Sequence, residues 1–411
     1  MKTGILKKAL MVLVMMVFVI GLGSSAFSAE KTKIAISAIV QMTGPYATSQ
    51  VGIMEGNKDC IEYLNSINYV PGAELVYTWQ DGGSDTAKSM TAFKKLVNSN
   101  PPPVANTVYG SAFSIALKKW HMKNKVPEVA ASYSDSFQVL PSWTFVPMIP
   151  YPNMIGAWID YYLKHIWKDK SRKPRLALML WDTAGARGFA TKEIKAFIKS
   201  RGVEIVAEEY IPLVPTDTSP QLLRIKEKKA DFAWGAAYYT ALSVVLKDMK
   251  RLGMMDQMTI GCPFWATPEQ LVKLVPDLAE GLYFINDRYM HSETAKKKGH
   301  IPWKYFEKRH LAKLGTKIYT LYSLAWFYPW VEAEAVRIAA ADVGPDKVDG
   351  TAVYNALQKM KDFDAGGLIL PMSFGPKRRF GILHQVMVNR VRSAKIQHLG
   401  VYPAPNLIVI K

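Results

Sequence analysis

Short runs of consecutive apolar residues recur along the chain, separated by stretches in which apolar residues return every three or four positions. Strands are predicted near residues 34–39, 74–79, 104–109 and 126–131, and again, beyond a proline-bearing link, near 175–180, 204–210, 231–234 and 259–261. Between them the spacing predicts amphipathic helices. Ile53, Gly56, Cys60, Leu64 and Ile67 share one face of the first, and Ile155, Ile159, Tyr162 and Ile166 share a face of a helix over 155–166. Strands alternating with helices build a mainly parallel sheet covered on both sides, so two such runs in series predict an α/β protein of two doubly wound lobes.

The amino terminus follows a different pattern. Lys2, Lys7 and Lys8 precede an apolar stretch, Ala9 to Leu22, and small residues run from Gly23 to Ala29. A basic head, a short apolar body and a small-residue exit describe a secretory signal peptide over residues 1–29, with cleavage after Ala26 or Ala29. An uncleaved anchor helix is the alternative, but the apolar body is short for a membrane span. No cysteine near the exit could accept a lipid. Leu321 to Ala340, the other long apolar stretch, is interrupted by Pro329, Glu332, Glu334 and Arg337 and reads as a packed helix.

The formal charge of +18 includes the three leader lysines, and the remaining basic residues are scattered, with short clusters at Lys296–Lys298 and Lys377–Arg379. An exported chain rarely meets nucleic acid, so the excess reads as a solvated basic face; a positive field that gathers anionic solutes is the alternative. The two cysteines, Cys60 and Cys262, are too few for a disulfide framework. They fall in different lobes, and both are expected as unpaired thiols.

TGPYA at residues 43–47, a helix, then DGGSD at 81–85 followed by AK resembles the branched-chain amino-acid (leucine-binding) type of periplasmic solute-binding protein. The likeness runs on through WDTAGARG, WGAAYYTALSVVLKDMKRLGM, LAEGLYF and SFGPKRRFGILHQVMV. It implies the type I periplasmic-binding-protein fold, two parallel-sheet lobes joined by a three-strand hinge, with crossings in 142–153, 280–289 and 368–374. The lobes would comprise 30–148 with 285–367, and 149–284 with 368–411. It also implies a periplasmic, monomeric component of an ABC importer that captures a small carboxylate and hands it to permease subunits in the inner membrane. A receptor module of the same fold is the alternative.

Ligands of open α/β sheets sit at the carboxyl ends of the strands, which singles out several residues. Tyr46 follows the first strand and Tyr109 ends the third. Ser111 opens a helix, where it either caps the helix or joins the free N–H groups in holding a carboxylate. Ser132 and Ser134 follow the fourth strand, at the family's position for the same carboxylate. In the second lobe Tyr238 matches a ligand-facing tyrosine, with Tyr239 one register away. At Trp181–Gly188 the family's tyrosine is replaced by Gly185, leaving Asp182 and Trp181, the latter either core or ligand surface.

The amino-acid binders of this family place a glutamate after the strand at 259–261 to meet the ligand ammonium; this chain reads Cys262, Pro263, Phe264, Trp265. Either Asp182 takes that role or the ligand is an acid lacking an ammonium, suited to a pocket containing Tyr109, Tyr133, Tyr238, Phe264 and Trp265. No nucleotide-binding, zinc-hydrolase or nucleophile-elbow motif occurs in the mature chain, and the seven histidines are dispersed, so neither catalysis, a metal nor a cofactor is expected.

Overall fold

The computed structural model describes residues 30–47, 50–289 and 291–408; the leader expected over 1–29 lies outside the described residues. One sheet holds β1 (Thr32–Val40), β2 (Ala73–Asp81), β3 (Pro103–Val108), β4 (Glu128–Val129) and β5 (Thr144–Phe145) in the order β2-β1-β3-β4-β5. Every pairing in it is parallel. The other sheet holds β6 (Arg175–Trp181), β7 (Glu204–Ile211), β8 (Phe232–Ala236), β9 (Thr259–Pro263), β10 (Tyr283–Asn286), β11 (Gln385–Arg392) and β12 (Lys395–Pro403), in the order β12-β11-β10-β9-β8-β6-β7. Strands β6 to β10 pair in parallel, whereas β11 and β12 add an antiparallel edge.

The strand order reverses once in each lobe, between β1 and β3 and between β6 and β8. These are the points where loops diverge to opposite faces and leave a crevice. The fold is the two-lobed α/β arrangement expected from the alternation of strand and helix.

Buried apolar stripes fix the helices on the sheets. Helix Ile53–Ser66 lies against the long helix Tyr319–Val343, so the stretch interrupted by Pro329 is a packed helix. The two backbones approach closely at Gly56, where a Cβ would lie 2.4 Å from the Tyr322 carbonyl oxygen. One turn on, the Cys60 thiol donates to the Trp326 carbonyl at 3.1 Å. Cys60 and Cys262 are free and buried, and burial pushes both thiols above their usual range. The helix expected over 155–166 begins earlier, at Tyr151, because Pro152 is tolerated in a first turn, and it ends in a π turn at Tyr162–Ile166. Among the described residues no helix is long and apolar enough to cross a membrane.

Three segments join the lobes and are bonded to one another. Val146 donates to the Arg379 carbonyl at 2.7 Å and accepts from the Gly381 N–H at 2.8 Å. Arg288 bridges to Ile369. Asp287, fully buried, draws the three together: its carboxylate accepts from the Ile149 N–H at 2.8 Å, its carbonyl accepts from the Leu370 N–H at 2.8 Å, and its other carboxylate oxygen pairs with Arg288 at 2.6 Å.

Candidate functional site

The TGPYA and DGGSD motifs clasp each other at the top of β1 and β2. Asp81 accepts from the Met42 and Gly83 N–H groups and from the Thr43 hydroxyl, and the Ser84 hydroxyl donates to the Thr43 carbonyl. Gly44 has φ +82°, and a Cβ there would meet Ser84 at 2.8 Å. Asp85 caps the following helix by accepting from the Lys88 N–H at 2.7 Å. The clasp directs Tyr46 into the space between the lobes, where its ring meets Trp181 of the opposite lobe edge-on at 5.7 Å.

After β3 the chain turns through Gly110, φ +114°, and enters helix Ser111–Asn124. Gly110 occupies the cap position and Ser111 is the first helical residue, so the hydroxyl of Ser111 does not cap the helix. The N–H groups of this first turn have no partner within the helix and carry the positive end of its dipole. Ser132 follows β4 with its hydroxyl donating to that of Ser114 at 2.9 Å.

From the second lobe, Trp181 ends β6, its indole N–H shared between the carbonyls of Pro212 and Leu213 at 3.1 Å each. It is both buried and part of the cavity wall. Tyr238 ends the loop after β8 and packs edge-on against Trp181 at 5.1 Å. Phe264 and Trp265 follow β9. The lobes touch where Ser111 lies against Gly185: a Cβ on Gly185 would fall 2.6 Å from the Ser111 hydroxyl oxygen.

These groups enclose a cavity of about 100 Å³. Of the expected residues, Tyr46, Tyr109, Ser111, Ser132, Trp181, Tyr238 and Phe264 line it, and Trp265 joins them. Tyr239 is not in the lining, so the register falls on Tyr238. Three residues named from the sequence lie elsewhere. Ser134 caps the short helix Asp135–Gln138, its oxygen accepting from the Ser136 N–H. Tyr133 stacks on Tyr151 and donates its hydroxyl to Asp135. Asp182 points outward, its side chain 52% exposed and paired with Arg187 at 2.6 Å. In each case a partner close in the chain claims the side chain.

Other lining residues went unsignalled. Tyr151 comes from the first crossing and is stacked flat on Phe189 at 4.5 Å; Leu324 and Tyr328 come from the long helix; Thr183, Gln50, Ile53 and Met148 complete the wall. The crossing's prolines were the available signal for Tyr151, while the long helix is apolar all round and offers none.

No lining side chain is acidic or basic. Burial pushes the phenols of Tyr46, Tyr109, Tyr151 and Tyr328 above their ordinary range, so each keeps its proton. A site of hydroxyls, protonated phenols and a helix N-terminus offers donors to an anion and nothing charged to a cation. Among the described residues no cluster of side chains could hold a metal ion.

Residues 33–397 match the family model described as periplasmic binding protein. Among solved structures, a branched chain amino acid ABC transporter from Thermus thermophilus with bound valine is similar at TM-score 0.78 and 16% identity, covering 91% of this chain and 97% of that one. A fatty acid ABC transporter substrate-binding protein from Thermomonospora curvata is similar at TM-score 0.72 and 19% identity, covering 92% of each chain. A leucine binding protein from Thermotoga maritima is similar at 0.70 and 19%, covering 90% of this chain and 98% of that one. No curated protein matches by sequence. At such identities the structural likeness speaks for the fold.

Proposed function

This chain belongs to the periplasmic binding protein family, and from that premise we propose that it is the extracytoplasmic capture component of an ABC importer, closing two lobes on a small carboxylate and delivering it to a permease. The observation that carries this reading is the cavity at the paired switch points, where the first turn of helix Ser111–Asn124 meets a wall of hydroxyl and aromatic side chains from both lobes. The carboxylate lies against Ser111, Ser132 and the helix N-terminus, and the rest of the ligand lies among the rings.

The ligand is an aliphatic or aromatic acid without an ammonium group. An ammonium in this cavity would be desolvated among uncharged side chains, and Asp182, the nearest candidate from sequence, is engaged by Arg187 outside the lining. The test is thermal unfolding against a panel of organic acids and their 2-amino counterparts. A binder at a hundred times its Kd stabilises the native state by about 2.7 kcal/mol. The expected result is a raised Tm with at least one acid and a smaller rise with its amino counterpart. No shift with any carboxylate refutes the proposal, and a larger shift with the amino acid refutes the ligand class.

A further inference from the structure

Two rings of the cavity wall have a second face. Trp181 and Tyr238 line the inner cavity and also a second, outer chamber of about 180 Å³, completed by Pro45 from the first lobe and Leu213, Val214, Pro215, Thr240 and Ala241 from the second. No residue lining the outer chamber is charged. Val214 is the most exposed large apolar side chain of the described residues, at 74%, and it hangs from the loop whose carbonyls hold the Trp181 indole.

The inner cavity, at about 100 Å³, is smaller than the roughly 150 Å³ apolar cavity that holds benzene. A carboxylate with a ring or a long chain therefore does not fit wholly inside it. We propose that the outer chamber is a second subsite: the carboxylate head occupies the inner cavity and an apolar tail passes the Trp181–Tyr238 pair to lie against Pro45, Leu213 and Val214. The ligand class is then the amphipathic carboxylates, chain-like acids with an apolar end. This rests on the reading of the inner cavity as a carboxylate site and extends it. Because Pro45 belongs to the opposite lobe, the tail is gripped from both sides only when the lobes are together.

Calorimetric titration of the full chain with straight-chain carboxylates of four, six, eight and ten carbons tests the assignment, in the wild type and in Val214→Asp. Val214 is exposed, so folding does not limit the variant. Affinity should rise roughly fourfold for each methylene that enters the outer chamber, and the ratio of ten-carbon to four-carbon affinity should shrink at least tenfold in Val214→Asp. Short acids that bind while longer ones bind equally or more weakly overturn the second subsite and leave the inner site standing. So does a chain-length series that is the same in both proteins. Failure of every acid to bind overturns the inner-site reading and the extension with it.

Discussion

Replacing Gly185 with alanine tests whether the contact between Ser111 and Gly185 belongs to the ligand-bound state. The added Cβ would sit 2.6 Å from the Ser111 hydroxyl oxygen, 0.8 Å short of the 3.4 Å at which ordinary contact begins. Relief requires either that Ser111 swing its hydroxyl away or that the lobes stand apart. Overpacking of this kind costs about 1–3 kcal/mol, which corresponds to roughly a 5- to 150-fold weaker Kd. If that contact forms only when the lobes close, as proposed, the penalty falls on the closed form alone. In the open form alanine within Ala184–Arg187 is the better helix former, by up to about 1 kcal/mol, so the Tm without ligand should hold or rise. Ser111→Ala supplies the control, because its Cβ would lie 3.5 Å from the new methyl, within ordinary contact. Titration with the best acid of the panel should therefore show a large loss for Gly185→Ala alone and a much smaller further loss when it is added to Ser111→Ala. An unchanged affinity in Gly185→Ala, or equal losses in the two backgrounds, would refute the reasoning.

Asp182→Asn should change the affinity for that acid less than twofold; a loss beyond tenfold by calorimetry would place Asp182 in the ligand's reach after all. Gly56→Ala should destabilise the protein by about 1–3 kcal/mol or more, because the obstructing atom is the Tyr322 backbone oxygen rather than a movable side chain; a wild-type urea midpoint would show that the helices can part there. Burial holds His121 down to about 4 and raises Glu128 to about 8. From pH 6.5 to 8 the folded Glu128 keeps a proton that the unfolded chain has lost, so stability should fall as pH rises. From pH 6.5 toward 4 the unfolded His121 takes a proton that the folded chain refuses, which opposes the Glu128 trend. Urea unfolding at pH 6.5 and 8 should show the fall in the wild type and its loss in Glu128→Gln; equal slopes would mean that Glu128 is ionised in the native state.

Strands β1 to β4 and β6 to β9 were legible, the interior ones because strands buried on two faces are written as uninterrupted apolar runs, whereas β5 and β10, at the crossings, were not named as strands. The hairpin of β11 and β12 was not anticipated, since an edge with one solvated face mixes polar residues into each strand, as in Lys395–Pro403. Tyr109, Trp181 and Phe264 could be named as wall residues because they stand at strand ends, and Tyr238 because the family resemblance puts a ligand-facing tyrosine there. Ser134 and Asp182 also follow strands, yet Ser136 and Arg187 take them locally. Such choices depend on side-chain partners that position in the sequence does not reveal. Tyr328 escaped for another reason. In a helix buried on every side, periodicity cannot say which residue faces a cavity rather than a neighbour.

Asp287 binds groups on all three crossings at once. Bending any one of them alone would strain bonds of 2.8 Å to the other two in a place that water cannot reach to replace them. The connection therefore behaves like a door hung on one pin, with a single swing and little sideways play. On the proposed function, a solute arriving from outside would meet the same gape each time, and a receiving permease could recognise the shut form by the spacing of its two lips, with no need to sense what is held between them.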